Sequence, residues 1–400
     1  MLDHVRPVPV VEAADLEADM HGTFATYRAT HPLIALAGGG YVVLRYADVE
    51  RLMSDPRLQA TETALPHQAG LTKGALFDLF EYGMLTANRE THARRRAALS
   101  RALARESLEH FRQHVRDAAS LLIDARIADG RLELVSAYAR QLPILALARL
   151  LDVTDDALPT FERDVLAMNA FFRPGPTPDA VAAAEEAALR LQSALADRLD
   201  QVDAERPGSF LSTYKTTAGE HQLSPLEGLM QIVQMIIGGT ESMRTALVVE
   251  IAQLLGNRNQ WESVCSHPTL VANAVAEALR FDPGIAGVVR VAVEEIDLGG
   301  WIVPAGHMVL LSAVSALRDE RVFADPHRFD LSRPSLNLAR LAFGGGAHRC
   351  VAEAFGRAAL EEGLAVLTER LPTLRLEHSP TVTGHVFVRE TSECWVRWQH

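Results

Sequence analysis

The chain has 400 residues, 48% of them hydrophobic, and a formal net charge of −12 at pH 7. That is enough apolar material for a large core, while the negative balance argues against a nucleic-acid binder. The three cysteines, Cys265, Cys350 and Cys394, are scattered and odd in number, which argues against a disulfide framework and for a reducing compartment.

The opening stretch, MLDHVRPVPVVEAADLEADM, has neither an apolar core of signal-peptide length nor a run of about 20 apolar residues. A cytoplasmic protein without membrane association is expected. No block of like charge, low-complexity tract or internal repeat marks a boundary, so residues 1–400 read as one domain.

Gly40-Tyr41-Val42-Val43-Leu44 reads as a strand after a glycine turn, and residues 47–54 as a short helix stopped by Asp55-Pro56. Residues 57–88 show little sustained period apart from an apolar cluster at 76–80. Long irregular stretches in compact domains are usually functional or disordered. Residues 89–105, rich in Ala, Leu and Arg without Gly or Pro, form a helix by propensity. It carries His92 and Arg96, four apart and so on one face. They read either as part of a solvated basic face or as donors to a carboxylate, a role the guanidinium suits.

Helical periodicity continues through 111–151, and 155–172 is a further amphipathic segment. Pro174-Gly175-Pro176 and Pro178 interrupt it before an alanine-rich helix over 180–199. Phe171 and Phe172 serve either as packing or as contacts with a ligand. Ser224-Pro225-Leu226-Glu227 is a strong helix start, with Ser at the N-cap, Pro at the first helical position and Glu three residues after Ser. A long apolar helix follows to about residue 255. Its middle, Ile237-Gly238-Gly239-Thr240-Glu241-Ser242, suits a straight helix poorly, since each Gly costs up to ~1 kcal/mol against Ala. Either close helix packing or a ligand requires the missing side chains. Residues 271–281 are helical and carry Glu277 and Arg280, alone no more than a surface pair.

Strand segments follow at 288–293 and 301–303, and then the loop Phe343 to Ala352, FGGGAHRCVA. It sets Cys350 after three consecutive glycines and before an apolar helical run reaching about residue 370, with β-hairpins expected beyond. Glycines permit close backbone approach, and amides aimed at a thiolate stabilise its charge and tune a bound metal. Cys350 reads either as a metal-ligating thiolate or as a buried free cysteine. Structural zinc is disfavoured, because it wants about four ligands and only His348 is near at useful spacing.

The order Phe343-x-x-Gly346-x-His348-x-Cys350 resembles the haem-binding loop of the cytochrome P-450 family, with Ala352 where that family usually has Gly. The resemblance spans nearly the whole chain and implies a mainly α fold with minor β, the haem lying between a long central helix and the helix that follows the cysteine. It implies haem b as cofactor, O2 as co-substrate, and Cys350 as the iron ligand. Phe343, Gly344 and Gly346 shape the loop. His92, Arg96, Arg290 and His348 are implied as donors to the haem propionates. Glu241 and Ser242 match the acid and alcohol of a proton relay, with Ser in place of the usual Thr. Glu277, Arg280 and Arg328 are implied as a buried structural triad. Ile237, Gly238, Ile285 and Phe387 fall where the substrate pocket is lined, residues 57–88 where it is capped, and the proline-glycine hinge where a mobile lid turns.

The implied function is a bacterial monooxygenase oxidising a small organic molecule, such as a natural-product intermediate, with electrons from ferredoxin and ferredoxin reductase. Radical coupling or desaturation, peroxide-driven oxidation, and a non-catalytic partner or sensor are the alternatives. By family geometry Arg94, Arg95, Arg101, Arg349 and Arg357 would form a basic surface for an acidic electron carrier. From helix spacing alone, Gln234 lies one turn before Gly238 on the same face, and is either a substrate anchor or bonded to another segment or a water.

Overall fold

The long apolar run after Ser224 becomes one helix, Pro225–Gly256, which organises everything else in a computed structural model that describes residues 5–172, 176–334 and 336–399. Pro174 and Gly175 of the expected hinge lie outside the described residues. The helix starts with a reciprocal cap. Ser224 Oγ accepts from Glu227 N at 3.2 Å, and the Glu227 carboxylate accepts from Ser224 N at 3.0 Å. Apolar on nearly every side, the helix is buried along almost its whole length.

The helix Glu353–Arg370, directly after the cysteine loop, packs against both this central helix and Leu108–Asp124. A Cβ at Gly363 would stand 2.8 Å from Leu142 Cδ2 and 3.2 Å from Leu247 Cδ2, so the close approach depends on glycine. Across the Leu108–Asp124 contact, Arg112 pairs with Glu362 at 2.6 Å, and Arg116 with Glu362 at 3.0 Å and Glu369 at 2.6 Å.

One six-stranded sheet flanks the helices, in the order Val10–Val11, Leu33–Leu36, Tyr41–Val43, Met308–Ser312, Gly287–Ala292, Leu58–Gln59. The parallel pairing of Tyr41 with Val309 and the antiparallel pairing of Arg290 with Val309 fix the register that brings Arg290 into the interior. Arg89–Arg105 and Val271–Phe281 are helices with the expected bounds.

The expected helical stretch over 111–151 is broken. Gly130, at φ +64°, turns the chain into a strand, Arg131–Glu133, which pairs with the C-terminal strand Trp395–Arg397. A π-helix, Val135–Ala139, precedes the helix Gln141–Leu150. A short apolar run satisfies either period, and here a partner strand more than 200 residues away decides it. Residues 57–88 hold the helices Ala64–Gln68 and Ala75–Tyr82 besides the edge strand.

Candidate active site

The cysteine loop is shaped by sterics. Gly344 and Gly346 have φ of +74° and +59°, and a Cβ at Gly346 would lie 2.2 Å from Met53 O. Cys350 N donates to Phe343 O at 2.8 Å, closing the loop. The Phe343 ring is covered by the Arg357 guanidinium at 4.9 Å. The Ala352 amide is near enough to the Cys350 sulfur to favour its charged form. Ala352 has φ −104°, a backbone any residue adopts, so alanine needs no rearrangement where the resembling family has glycine.

Cys350 keeps accessible surface, yet protein crowds the sulfur closely enough that burial pushes its thiol up; the Ala352 amide, Arg96 and Arg349 pull the other way. Close contacts join the cysteine loop, the helix after it, the central helix and the strand that carries Arg290. A Cβ at Gly356 would touch Phe343 and Met243; one at Gly284 would be 2.2 Å from Ser242 O; one at Gly344 would meet Val288 at 3.8 Å. On the central helix Gly238 is exposed although it sits mid-helix, and a Cβ there would meet nothing within 4 Å. Ile237, Ser242, Ile285, Val288 and Val289 also retain surface. Phe387 is 46% exposed, and its carbonyl accepts from Ala286 N at 2.7 Å, next to Ile285.

The implied propionate donors do come together. The rings of His92 and His348 stack with centroids 3.8 Å apart. Burial, with Arg96 and Arg290 adding to it, lowers His92 to about 4. Burial, then Arg290, His92 and Arg96, lowers His348 to about 3. Arg290 is lowered to about 10 by burial; its one hydrogen bond is to Val289 O at 2.8 Å. Burial also lowers Arg96, and no carboxylate among the described residues pairs with it.

A haem fits this donor set. A buried Arg290 and a half-buried Arg96 without a carboxylate partner among the described residues, flanked by two imidazoles, suit a dianionic edge. Cys350 keeps accessible surface, and the central helix carries no side chain at Gly238, where a Cβ would meet nothing within 4 Å. Among the described residues no group of three or more His, Cys, Asp and Glu is placed to hold a metal ion.

On the central helix Ser242 Oγ donates to Gly238 O at 2.9 Å. Glu241 is 7% exposed and lies 2.8 Å from Arg244 Nη2. Asn169 Nδ2 donates to Thr240 Oγ1 at 2.8 Å and reaches Glu241 Oε1 at 3.5 Å. Arg244 and Asn169 escaped the reading of the sequence, although Arg244 was findable three residues after Glu241 on one helix face.

Three expectations are corrected. The third member of the Glu277–Arg280 triad is Arg333, whose Nε donates to Glu277 Oε1 at 3.0 Å. Arg328 instead turns outward and pairs with Asp330, two residues on. Gln234 is no free anchor: Nε2 donates to Leu79 O at 2.7 Å and Oε1 accepts from Leu85 N at 3.0 Å. It joins Arg95, Gln192 and Gln231 in bonding the backbone of 75–85, which is how that cap is held to three helices. Arg94 and Arg95 do not present a docking surface, because both are tied to Glu227 at the start of the central helix. Arg101 pairs with Glu220 at 3.5 Å, and Arg349 and Arg357 both pair with Glu353, at 2.7 and 3.1 Å.

A helical fold that sets one cysteine in a glycine loop beside the small residues of a long helix defines the haem-thiolate class. A family model described as cytochrome P450 matches residues 243–382. The plant-inducible cytochrome P450-pinF1 of Rhizobium radiobacter is 33% identical over 97% of this chain and 92% of its own length. Nocardicin C N-oxygenase of Nocardia uniformis subsp. tsuyamanensis is 30% identical over 90% of each. The structure of epothilone B-bound cytochrome P450epoK superposes with a TM-score of 0.87 at 25% identity, covering 96% of this chain and 98% of that one. The chain belongs to the cytochrome P450 family and is an oxidoreductase, and membership implies a haem-iron cofactor and use of O2. No helix among the described residues is long and apolar enough to cross a membrane.

Proposed function

We propose that this chain is a cytoplasmic, single-domain haem b monooxygenase that oxidises a small natural-product intermediate, using O2 and electrons from ferredoxin and ferredoxin reductase. The observation that carries the reading is the pairing of one open cysteine with a buried Arg290 and a half-buried Arg96 that have no carboxylate partner among the described residues, beside the packed imidazoles of His92 and His348. Relatives named for oxidations of such compounds, nocardicin C N-oxygenase and the epothilone C/D epoxidase of Sorangium cellulosum, support the substrate class.

In this reading Cys350 would hold the haem iron through its sulfur, with the Ala352 amide favouring the thiolate. When bound, thiolate-ligated haem would supply the oxidising chemistry. His92, Arg96, Arg290 and His348 would hold the propionates, with Arg290 fixed on a sheet strand. Gly238 leaves the space O2 needs. Glu241 passes protons toward Ser242, whose hydroxyl is parked on Gly238 O and is freer to rotate than a β-branched threonine. Ile237, Ile285 and Phe387 give the substrate an apolar wall. The overall balance is RH + O2 + 2e− + 2H+ → ROH + H2O.

The test is the ferrous-CO absorbance spectrum of the purified protein. Wild type gives the thiolate-type band; Cys350→Ser loses it, and Cys350→His retains haem with a shifted spectrum and no O2 activation. A thiolate-type band persisting in Cys350→Ser refutes the ligand assignment, and a pyridine haemochrome other than that of haem b refutes the cofactor.

A further inference from the structure

The cap helix Ala75–Tyr82 is held differently at its two ends. Its far end belongs to the frame. Arg95 Nη1 donates to Glu81 O and Gly83 O at 3.0 and 3.1 Å, Gln231 Nε2 to Tyr82 O at 2.8 Å, and Gln234 Nε2 to Leu79 O at 2.7 Å. Its start has no cap of its own, because the residue before it is Gly74, at φ +105°. The helix Pro178–Glu205 supplies one instead. Glu185 Oε1 accepts from Ala75 N at 2.5 Å and Oε2 from Leu76 N at 2.9 Å. Two turns further along, Gln192 Nε2 donates to Ala75 O at 2.8 Å.

The first amides of a helix have no partner inside it, and a carboxylate there is favoured by the helix dipole as well as by the bonds. A helix of 8 residues is marginal alone, so Glu185 decides whether the first turn of the cap is folded. Gly74 is fitted to this arrangement. A Cβ there would stand 2.4 Å from Glu185 Oε1. The cap also stands beside the opening at Gly238: Gln234, which bonds Leu79 and Leu85, lies one turn before that glycine, and the Phe80 ring meets Phe172 and Phe171 with centroids 6.2 and 6.4 Å apart. We infer that Glu185 is a latch on ligand entry. Its carboxylate keeps the first turn of the cap helix closed beside the substrate site, and its release, with the far end still on the frame, is the local opening that lets a ligand in and out. Glu185 is a positioning residue, acting through the backbone of 75–76 and not by touching the ligand. The inference rests on the proposed substrate site at Gly238. Weakening such a latch raises a minor open form, so entry and exit quicken by the same factor; affinity holds, because the contacts of the closed, bound form are unchanged.

The test uses the haem-loaded enzyme and 4-phenylimidazole, whose binding shifts the haem absorbance. Stopped flow gives its association and dissociation rate constants, and mass spectrometry of the native state gives amide exchange over 75–78. In Glu185→Ala both rate constants and the exchange are expected to rise by about fivefold, the factor that loss of one cap sets, with Kd unchanged. Gly74→Ala, which drives a methyl group onto the carboxylate from the other side, moves all three in the same direction. Glu186→Ala, at the next residue, removes an exposed carboxylate paired with Arg190 at 3.7 Å and leaves all three at wild-type values. Should Glu185→Ala not fold, Glu185→Gln keeps one acceptor for the two amides and gives a smaller rise. Wild-type values for the rate constants or for the exchange in a folded Glu185 variant overturn the inference, as does a Kd that shifts because only one rate constant changes. Failure of the underlying reading looks different: wild type then shows no spectral shift with 4-phenylimidazole.

Discussion

Glu277 offers the sharpest quantitative test of how the proximal side is held. Its side chain is fully buried and accepts four charge-assisted or backbone bonds: Arg280 Nε at 2.7 Å, Arg280 Nη2 at 2.8 Å, Arg333 Nε at 3.0 Å and Asp330 N at 2.9 Å. Glu277→Ala removes all four and strands the Arg280 guanidinium, which is 2% exposed. Removing one partner of a buried pair costs about 3–5 kcal/mol. Arg280 retains Leu317 O, Pro326 O and Arg328 O, at 3.1, 2.8 and 3.2 Å, which favours the lower half of that range. Arg333→Ala removes one bond to Glu277 and the bonds to the carbonyls of Asp325 and Arg328, both 2.7 Å. Its expected cost is about 2–3 kcal/mol. Arg328→Ala, on an exposed pair with Asp330, should leave stability unchanged within error. The assay is urea unfolding followed by far-ultraviolet circular dichroism at matched haem loading, with midpoints compared at constant slope. If Arg328→Ala loses as much as Arg333→Ala, the triad as drawn is wrong.

Four further outcomes are expected. Gln234→Leu leaves Leu79 O and Leu85 N without partners, so amide exchange at Leu85 should accelerate by about tenfold in mass spectrometry of the native state. Arg94→Glu sets like charges at Glu227 and should lower the melting temperature, while stopped-flow reduction by a ferredoxin stays at the wild-type rate. Gly346→Ala, with its Cβ driven onto Met53 O at positive φ, should lose haem loading as measured by pyridine haemochrome. His21 is lowered from 6.5 to about 2 by burial, then by Arg318 and Arg389, with Asp19 opposing; Asp282, 3.4 Å away, is already taken by Arg389 and does not hold the ring protonated. The unfolded chain therefore binds this proton first. Stability present above pH 6.5 should fall as pH drops below it, by up to about 1.4 kcal/mol per pH unit, and His21→Phe should flatten that slope in pH-dependent denaturation.

What the sequence determined by itself is whatever rests on local chemistry. The capping box at Ser224 and Glu227 and the alanine-rich, arginine-rich run at 89–105 fix helix starts and bounds through bonds and propensities that act within a few residues. The glycines before Cys350 carry their own reason, since a backbone at positive φ pressed against Met53 admits little else. Even His92 with Arg96, and Glu241 with Ser242, were legible, because helix spacing places each pair before any tertiary contact forms.

Tertiary structure alone decided which distant groups answer those residues. Nothing near 131–133 indicates that Trp395–Arg397 will turn a helical pattern into a strand. Both Arg328 and Arg333 follow Glu277 in the chain; Asp330 captures the nearer one, and the farther one reaches the carboxylate because the loop folds back. Gln234 sits on the helix face that spacing assigns it, yet its amide is consumed by the backbone of 79–85, a segment without a period of its own. Arg94 and Arg95 read as surface charge until Glu227 arrives beside them. The physical reason is common to all four cases. A side chain's reach is set locally, but its partner is chosen by which buried group would otherwise be left unpaired, and burial is a property of the whole fold.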